Sequence, residues 1–392
     1  MDPLTPLLVV TIVLIISLVM TEVFNRIKTS VFIGLVLGGA FIGLPIFDQF
    51  VSQGQPIIDS MSVFGIILLL FISGLQADYR KLKESKKEEG MVALLGAIIP
   101  FILGFAITRA LDYGLVTAFI VGASLSITSA GTTIGVLLET KTLNTRVGKI
   151  ILGAGIIDDI FEVIFLSVLI VLVQHGEAAS LAVLPFRLFV FTLIILTFFK
   201  LILPKIIKHI VKEENHTVFT GFIITLCFIT TLISYFLGLG YIIGAFLAGL
   251  VIQLLIKNKI IRTKMITQIR NFSFALIIPF FFINLGLQLD IGSIEQYFPL
   301  FLIVFGVAVM GKVGGALLTK PFTKLNWKQL HLIGWGMNSR GAVELVITEI
   351  ARSSLGLPIE VFSVLVLTTI TTTIIFPFVL RNFVGKYPHI MQ

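Results

Sequence analysis

The sequence predicts an all-α polytopic membrane protein with about thirteen transmembrane helices. Hydrophobic residues make up 57% of the 392 residues and charged residues only 13%, about half the charged share of a soluble domain. Mean hydropathy is +1.07. Apolar stretches of bilayer-crossing length follow one another along the chain, and basic residues cluster in alternate loops. The single cysteine, Cys227, excludes an intramolecular disulfide framework.

Thirteen apolar spans can be drawn, each close to the roughly 20 residues that cross the hydrocarbon core. A basic cluster follows every odd-numbered span, beginning with Arg26 and Lys28 after the first. The third, ninth and tenth spans are the shortest. In chain order the spans cover residues 6–24, 31–47, 61–75, 91–111, 114–138, 150–173, 184–203, 218–237, 241–256, 272–287, 297–318, 331–351 and 361–384.

The basic residues predict the orientation of the chain in a cell membrane. Of the 29 Lys and Arg residues, 24 fall in loops after odd-numbered spans and three in the other loops, while Lys312 and Arg340 lie within spans. This asymmetry predicts an N-terminus outside and a C-terminus in the cytoplasm, and the charge is then explained by topology and anionic lipid rather than by nucleic acid. No loop exceeds about 15 residues, which excludes a soluble catalytic domain and argues against an enzyme.

Charged side chains at membrane depth are functional candidates, because each costs a few kcal/mol there. Two of them, Asp158 and Asp159, are adjacent and cannot both ionise in an apolar medium without a cation nearby. Since successive helical residues point about 100° apart, one is expected to face a cavity and bind a small cation while the other takes a fixed partner. The full set is Asp158, Asp159 and Glu162 on the sixth span, Lys312 on the eleventh, and Arg340, Glu344 and Glu349 on the twelfth.

Lys312 is the expected partner of one aspartate, since glycines beside it allow close approach by another helix. The alternative is a cationic anchor that reaches to the nearby interface. A buried structural ion pair is the corresponding alternative for the two aspartates.

Two spans are predicted to be discontinuous helices. Residues 124–135 of the fifth span and 334–342 of the twelfth are rich in Ser, Thr, Asn and Gly, which free backbone groups from helical bonding. Interrupted helices supply ion ligands in transporters, and these two hold the second and second-last places among spans four to thirteen, as in an inverted repeat. Helix packing is the alternative reading of such small-residue runs.

Taken together, the residues resemble the monovalent cation:proton antiporters, and most closely their second branch, which includes bacterial sodium/proton antiporters and potassium-efflux systems. The resemblance covers almost the whole chain in order. It rests on residues 68–75, Thr128-Ser129, 137–149, 156–159, 243–251, 279–289 and Ser339-Arg340-Gly341.

The resemblance implies a homodimer in which a core domain, residues 91–173 and 297–384, moves against a dimerisation domain, residues 6–75 and 218–287, with a linker helix at 184–203. It implies electrogenic exchange of Na⁺ (or Li⁺ or K⁺) for protons, with no cofactor. By the same likeness Asp159 binds the metal ion Na⁺ or a proton, and Asp158 pairs with Lys312. Oxygens of Thr128 and Ser129, together with water, are expected to complete the ion's shell.

Two positions depart from the family pattern. Many relatives have Pro-Arg-Gly-Glu where this chain has Ser-Arg-Gly-Ala at 339–342, and here the acid lies at Glu344 instead, four residues after Arg340, so that these two side chains can satisfy each other. Glu162 has no counterpart in the pattern and is either a proton relay or the counter-charge of Arg340.

Three other functions are alternatives to sodium/proton exchange. A potassium/proton antiporter needs the same site with a different ion preference. A passive cation channel would show selectivity-filter rings and would not need Lys312 beside the acids. An intramembrane aspartyl protease needs two acids that meet from separate helices, whereas adjacent acids on one helix diverge.

Overall fold

A computed structural model describes residues 4–27, 29–76, 87–175, 186, 189–201, 216–256, 258–386 and 388–391. These residues are helical or in turns, with no strand among them. Short 3₁₀ turns follow α2, α13 and α16, at Pro45–Phe47, Lys320–Phe322 and Pro388–Met391. The α-helices are α1 (Leu4–Arg26), α2 (Val31–Ile42), α3 (Asp48–Gln76), α4 (Lys87–Ala110), α5 (Leu115–Ser126), α6 (Ala130–Glu139), α7 (Arg146–His175), α8 (Phe189–Leu201), α9 (His216–Phe236), α10 (Gly240–Leu255), α11 (Lys259–Leu276), α12 (Ile278–Leu287), α13 (Ile294–Leu318), α14 (Trp327–Gly336), α15 (Ala342–Leu355) and α16 (Ile359–Lys386).

Six of these helices, α1, α3, α4, α9, α13 and α16, are each long and apolar enough to cross a membrane within the described ranges. The pair α11 and α12, bent by 40°, passes the same test as one span. The all-α membrane fold predicted from the sequence is therefore confirmed. The total of thirteen crossings stays a prediction, and the predicted linker span 184–203 lies partly outside the described residues.

Two predicted spans begin too late. The third was predicted from residue 61, but α3 begins at Asp48. Hydropathy scored its first turns as a loop because they contain Gln55 and Pro56; the structure satisfies the Gln55 side chain by a 3.0 Å hydrogen bond to Asn284 Oδ1. The tenth was predicted from residue 272, but the helix begins at Lys259, where the Asn258 side chain caps the first backbone amides.

By their contacts, the residues form two compact units. Unit 1 comprises Met1–Met20, Leu35–Asp78 and Leu166–Leu287. Within it, α3 and α10 approach at Gly74 and Gly249, where an added Cβ would strike a backbone carbonyl of the opposite helix. Such close contact between small residues is how helices pack in lipid, where the hydrophobic effect offers little to drive their association.

Unit 2 comprises Thr21–Gly34, Tyr79–Phe165 and Gln288–Gln392, and it holds every candidate site residue. Its apolar core draws buried side chains from α4, α6, α7, α14 and α16, among them Val92, Leu137, Ile151, Leu330 and Leu380. This core fixes the helices on which the charged side chains are mounted.

Candidate functional site

Both predicted discontinuities are present in unit 2. The fifth span divides into α5, which ends at Ser126, and α6, which begins at Ala130. The twelfth divides into α14, which ends at Gly336, and α15, which begins at Ala342. The residues between the half-helices are non-helical, so their backbone groups need partners from outside their own helix.

The two breaks are hydrogen-bonded to each other. The Ser129 amide donates to the Ser339 carbonyl at 2.8 Å, and the Thr128 hydroxyl donates to the Met337 carbonyl at 3.0 Å. Gly341 lies so close to Ser129 that an added Cβ would be 2.5 Å from the Ser129 Cβ. The breaks therefore form one rigid crossing point inside the unit.

Arg340 fastens this crossing point to the end of α5. Its guanidinium is buried and donates to the carbonyls of Ser124 at 2.7 Å and Leu125 at 2.9 Å. Glu344 lies 3.4 Å away as its ion-pair partner, at the i,i+4 spacing seen in the sequence. Because the C-terminal end of a helix carries partial negative charge, Arg340 stabilises the end of half-helix α5. None of these bonds goes to Glu162, so the structure does not use Glu162 as the counter-charge of Arg340.

Lys312 is the second cation at the end of α5. It is 1% exposed and therefore does not reach to the interface. Its ammonium lies 3.1 Å from Asp158 Oδ2 and also donates to the Ser126 carbonyl. The structure thus brings Asp158 and Lys312 together as a buried ion pair. The second oxygen of Asp158, Oδ1, is buried and has no hydrogen-bond partner among the residues that the structure describes.

Asp159, next to this pair, differs from it in both exposure and contacts. It is half-buried, and neither a hydrogen bond nor a salt bridge ties it to the rest of the described chain. Gly155, one turn earlier on α7, lines a narrow crevice that is too tight to hold a water molecule, and Asp159 itself is not among the residues that line it. The crevice is lined by Thr128, Thr133, Ile134, Ile151, Leu152, Gly155 and Met337. Adjacent acids on α7 therefore have the two different surroundings that their 100° separation predicts.

Two threonines that hold the site together were not among the site residues predicted from the sequence. The Thr133 hydroxyl donates to the Gly336 carbonyl at 2.9 Å, and the Thr373 hydroxyl donates to the Arg340 carbonyl at 3.0 Å. Both hold the backbone of the second break. The signal for Thr373 was present, because five of the six residues 368–373 are threonines in an otherwise apolar span.

Known proteins resemble this chain in sequence and in fold. The family model described as "sodium/hydrogen exchanger, transmembrane" matches residues 10–386. A Na⁺/H⁺ antiporter of Enterococcus hirae is 29% identical over 381 residues, which cover 95% of this chain and 98% of that protein. The Na⁺/H⁺–K⁺ antiporter GerN of Bacillus cereus is 27% identical over 361 residues, covering 92% of this chain and 90% of that protein.

Among solved structures, the sodium proton antiporter MjNhaP1 of Methanocaldococcus jannaschii matches with a TM-score of 0.69 at 18% identity. The match covers 100% of this chain and 98% of that one, so the two share a fold. The resemblance to monovalent cation:proton antiporters is confirmed, and the chain is a multi-pass membrane protein. It belongs to the sodium/hydrogen exchanger family, a family of transporters.

Proposed function

We propose that this chain exchanges Na⁺ for protons across the cell membrane, with Asp159 as the carboxylate that binds either ion. The observation that carries this proposal is the difference in ion pairing among the acids Asp158, Asp159 and Glu344. Asp158 is neutralised by Lys312 and Glu344 by Arg340, whereas Asp159 has no such partner in the described chain. A half-buried carboxylate at membrane depth that has no fixed cation is free to take up a mobile one.

Competition at Asp159 then couples the two ions. Either a proton or Na⁺ neutralises the carboxylate, and adding a second positive charge to a poorly hydrated site costs several kcal/mol. Oxygens of Thr128 and Ser129, together with water, would complete the shell of a bound Na⁺. The Thr128 hydroxyl donates its hydrogen bond to the Met337 carbonyl, so the lone pairs of its oxygen remain available as ligands.

Alternating access would let the loaded site face each side of the membrane in turn. We assign unit 2 to the ion-translocating core and unit 1 to the dimerisation part of a homodimer. The contact-defined units support this assignment over most of the predicted ranges, although residues 21–34 of the predicted dimerisation part group with unit 2 and residues 166–173 of α7 group with unit 1. Loops after odd-numbered spans hold 24 basic residues and the other loops hold three, and this asymmetry supports an N-terminus outside and a C-terminus in the cytoplasm.

Potassium/proton exchange is the second candidate, because the relative GerN of Bacillus cereus is named a Na⁺/H⁺–K⁺ antiporter. The same carboxylate serves both ions, so a scan of Na⁺, K⁺ and Li⁺ separates them. A passive channel would conduct cations without moving protons.

The test is proton flux in proteoliposomes on addition of each cation, for the wild type, Asp159→Asn and the control Asp59→Asn. Asp59 is an exposed acid on α3, outside the site. We expect Na⁺-dependent proton movement in the wild type and in the control, and none in Asp159→Asn. Robust Na⁺-driven flux in Asp159→Asn would refute the role of Asp159, and cation flux without proton movement in the wild type would indicate a channel.

A further inference from the structure

Glu162 is a buried acid for which the exchange at Asp159 supplies no role. It lies on α7 and is 7% exposed, and the described residues offer it neither a hydrogen bond nor an ion pair. An ionised carboxylate in such surroundings costs several kcal/mol. Glu162 therefore holds a proton whenever no cation is close to it.

The cations at the same depth do not neutralise Glu162. Lys312 on α13 is bonded to Asp158, and Arg340 on α15 is bonded to Glu344, while both also donate to the last carbonyls of α5. The titratable groups nearest to Glu162 along α7 are Asp158 and Asp159. An independent observation also points to a cation here, since Asp158 Oδ1 is buried with no hydrogen-bond partner and retains unused acceptor capacity.

Glu162 shares one stripe of α7 with Asp159. Leu152, Gly155, Asp159 and Glu162 recur at spacings of three, four and three residues, which places them on the same helix face. The first two line the crevice described above. Helical residues three apart have Cβ atoms about 5–6 Å from each other, so a proton can pass between the two carboxyls through one water molecule.

An aromatic cluster closes the stripe on the far side of Glu162. Phe165, one turn further along α7, stacks on Phe101 of α4 at 5.3 Å and meets Phe119 of α5 at 6.2 Å between ring centroids. Phe101 and Phe119 also pack edge to face. These rings offer no polar group that could carry a proton on that side, so we place the route by which Glu162 exchanges its proton on the side of Asp158 and Asp159.

We propose that Glu162 binds the second proton exchanged for each Na⁺, an inference that rests on the proposed Na⁺/H⁺ exchange at Asp159. Na⁺ at Asp159, one turn away, attracts the Glu162 carboxylate and lowers the cost of ionising it, and the two carboxylates with one Na⁺ then carry one net negative charge. Asp159 and Glu162 then each release one proton when Na⁺ binds and regain it when Na⁺ leaves. One positive charge enters the site and two depart, so each cycle moves one net charge across the membrane.

The other source of a second proton is the Lys312 ammonium. Its loss would leave Asp158 and the Ser126 carbonyl without a charged donor in the protein interior, which is costly. Ionising Glu162 breaks no bond that the structure shows. The geometry therefore favours Glu162 over Lys312.

The test counts protons released per Na⁺ bound, by calorimetry of the purified full-length protein in buffers with different ionisation enthalpies. We expect about two in the wild type and about one in Glu162→Gln, which mimics the protonated acid. Glu349→Gln is the matched control. Glu349 is a buried acid on α15 that accepts a hydrogen bond from Gln288, and its variant should release two protons like the wild type.

A wild-type count of one, or an unchanged count in Glu162→Gln, would overturn the inference. If the wild type binds no Na⁺ at all, the proposed function fails instead. If Glu162→Gln binds no Na⁺, the decision falls to Glu162→Asp: a shifted pH midpoint for release of the second proton supports the inference, and the wild-type midpoint overturns it. In proteoliposomes, Glu162→Gln should continue to exchange Na⁺ for protons but should lose the response to membrane potential; a retained response also overturns the inference.

Discussion

The buried ion pair between Lys312 and Asp158 makes Lys312→Met the most quantitative stability prediction. Nζ and Oδ2 are 3.1 Å apart. At an effective dielectric constant of about 20, two unit charges at that distance attract by about 5 kcal/mol. Removing Lys312 leaves Asp158 as a buried charge without its partner, which costs about 3–5 kcal/mol. We therefore expect Lys312→Met to lower the free energy of unfolding by about that amount at neutral pH.

The double variant Lys312→Met with Asp158→Asn separates the ion pair from the rest of the site. It removes both charges, and the main remaining loss is the donor to the Ser126 carbonyl, about 1.5–3 kcal/mol for a charged hydrogen bond. We expect the double variant to be more stable than Lys312→Met alone. The assay is thermal unfolding of the purified protein in detergent, followed by tryptophan fluorescence for the four members of the cycle.

Additivity decides the outcome of this cycle. Independent sites add within about 0.3–0.5 kcal/mol, whereas members of one ion pair couple more strongly. If the two single changes sum to the effect of the double variant within that margin, the ion pair does not stabilise the site as the geometry indicates.

Two further predictions concern the crossing point and the loop between α12 and α13. Gly341→Ala places a Cβ 2.5 Å from that of Ser129, so we expect it to lower the free energy of unfolding by about 1–3 kcal/mol and to reduce proton flux in proteoliposomes. The control Gly314→Ala, which has open space around it, should do neither. Equal flux in the two variants would contradict this expectation. Hydrogen bonds from Ser293 and then Tyr297 hold the pKa of Asp290 below its ordinary 3.8. That contribution to stability is present above about pH 4 and is lost as the pH falls through the lowered pKa. Asp290→Asn should therefore flatten the dependence of the unfolding temperature on acid pH. An unchanged dependence in Asp290→Asn would refute this prediction.

The charged residues of the site could be predicted because a charged side chain within an apolar span is energetically costly and therefore stands out in the sequence. In an apolar span, Asp158 and Lys312 each need a partner, and only a few candidates exist in the chain. The breaks at 127–129 and 337–341 could be predicted for a related reason, since Ser, Thr, Asn and Gly runs are rare at that depth. In both cases, local composition carried the information.

Contacts between distant segments could not be read in the same way. Arg340 was expected to interact with Glu344, but its shorter bonds go to the carbonyls of Ser124 and Leu125, 216 and 215 residues away. Backbone carbonyls have no sequence signature, so nothing marked them as partners. The early start of α3 was missed for a similar reason, because Asn284, which satisfies Gln55, lies 229 residues away.

The dependence of Na⁺ affinity on pH tests most directly whether Asp159 holds one ion at a time. Calorimetric titration of the purified protein with NaCl over a series of pH values measures it. If protons and Na⁺ compete, affinity should fall by at least about tenfold for each pH unit once the acid is protonated, and Asp159→Asn should bind no Na⁺. A Na⁺ affinity that stays constant as the pH falls, with no proton released on binding, would contradict the account.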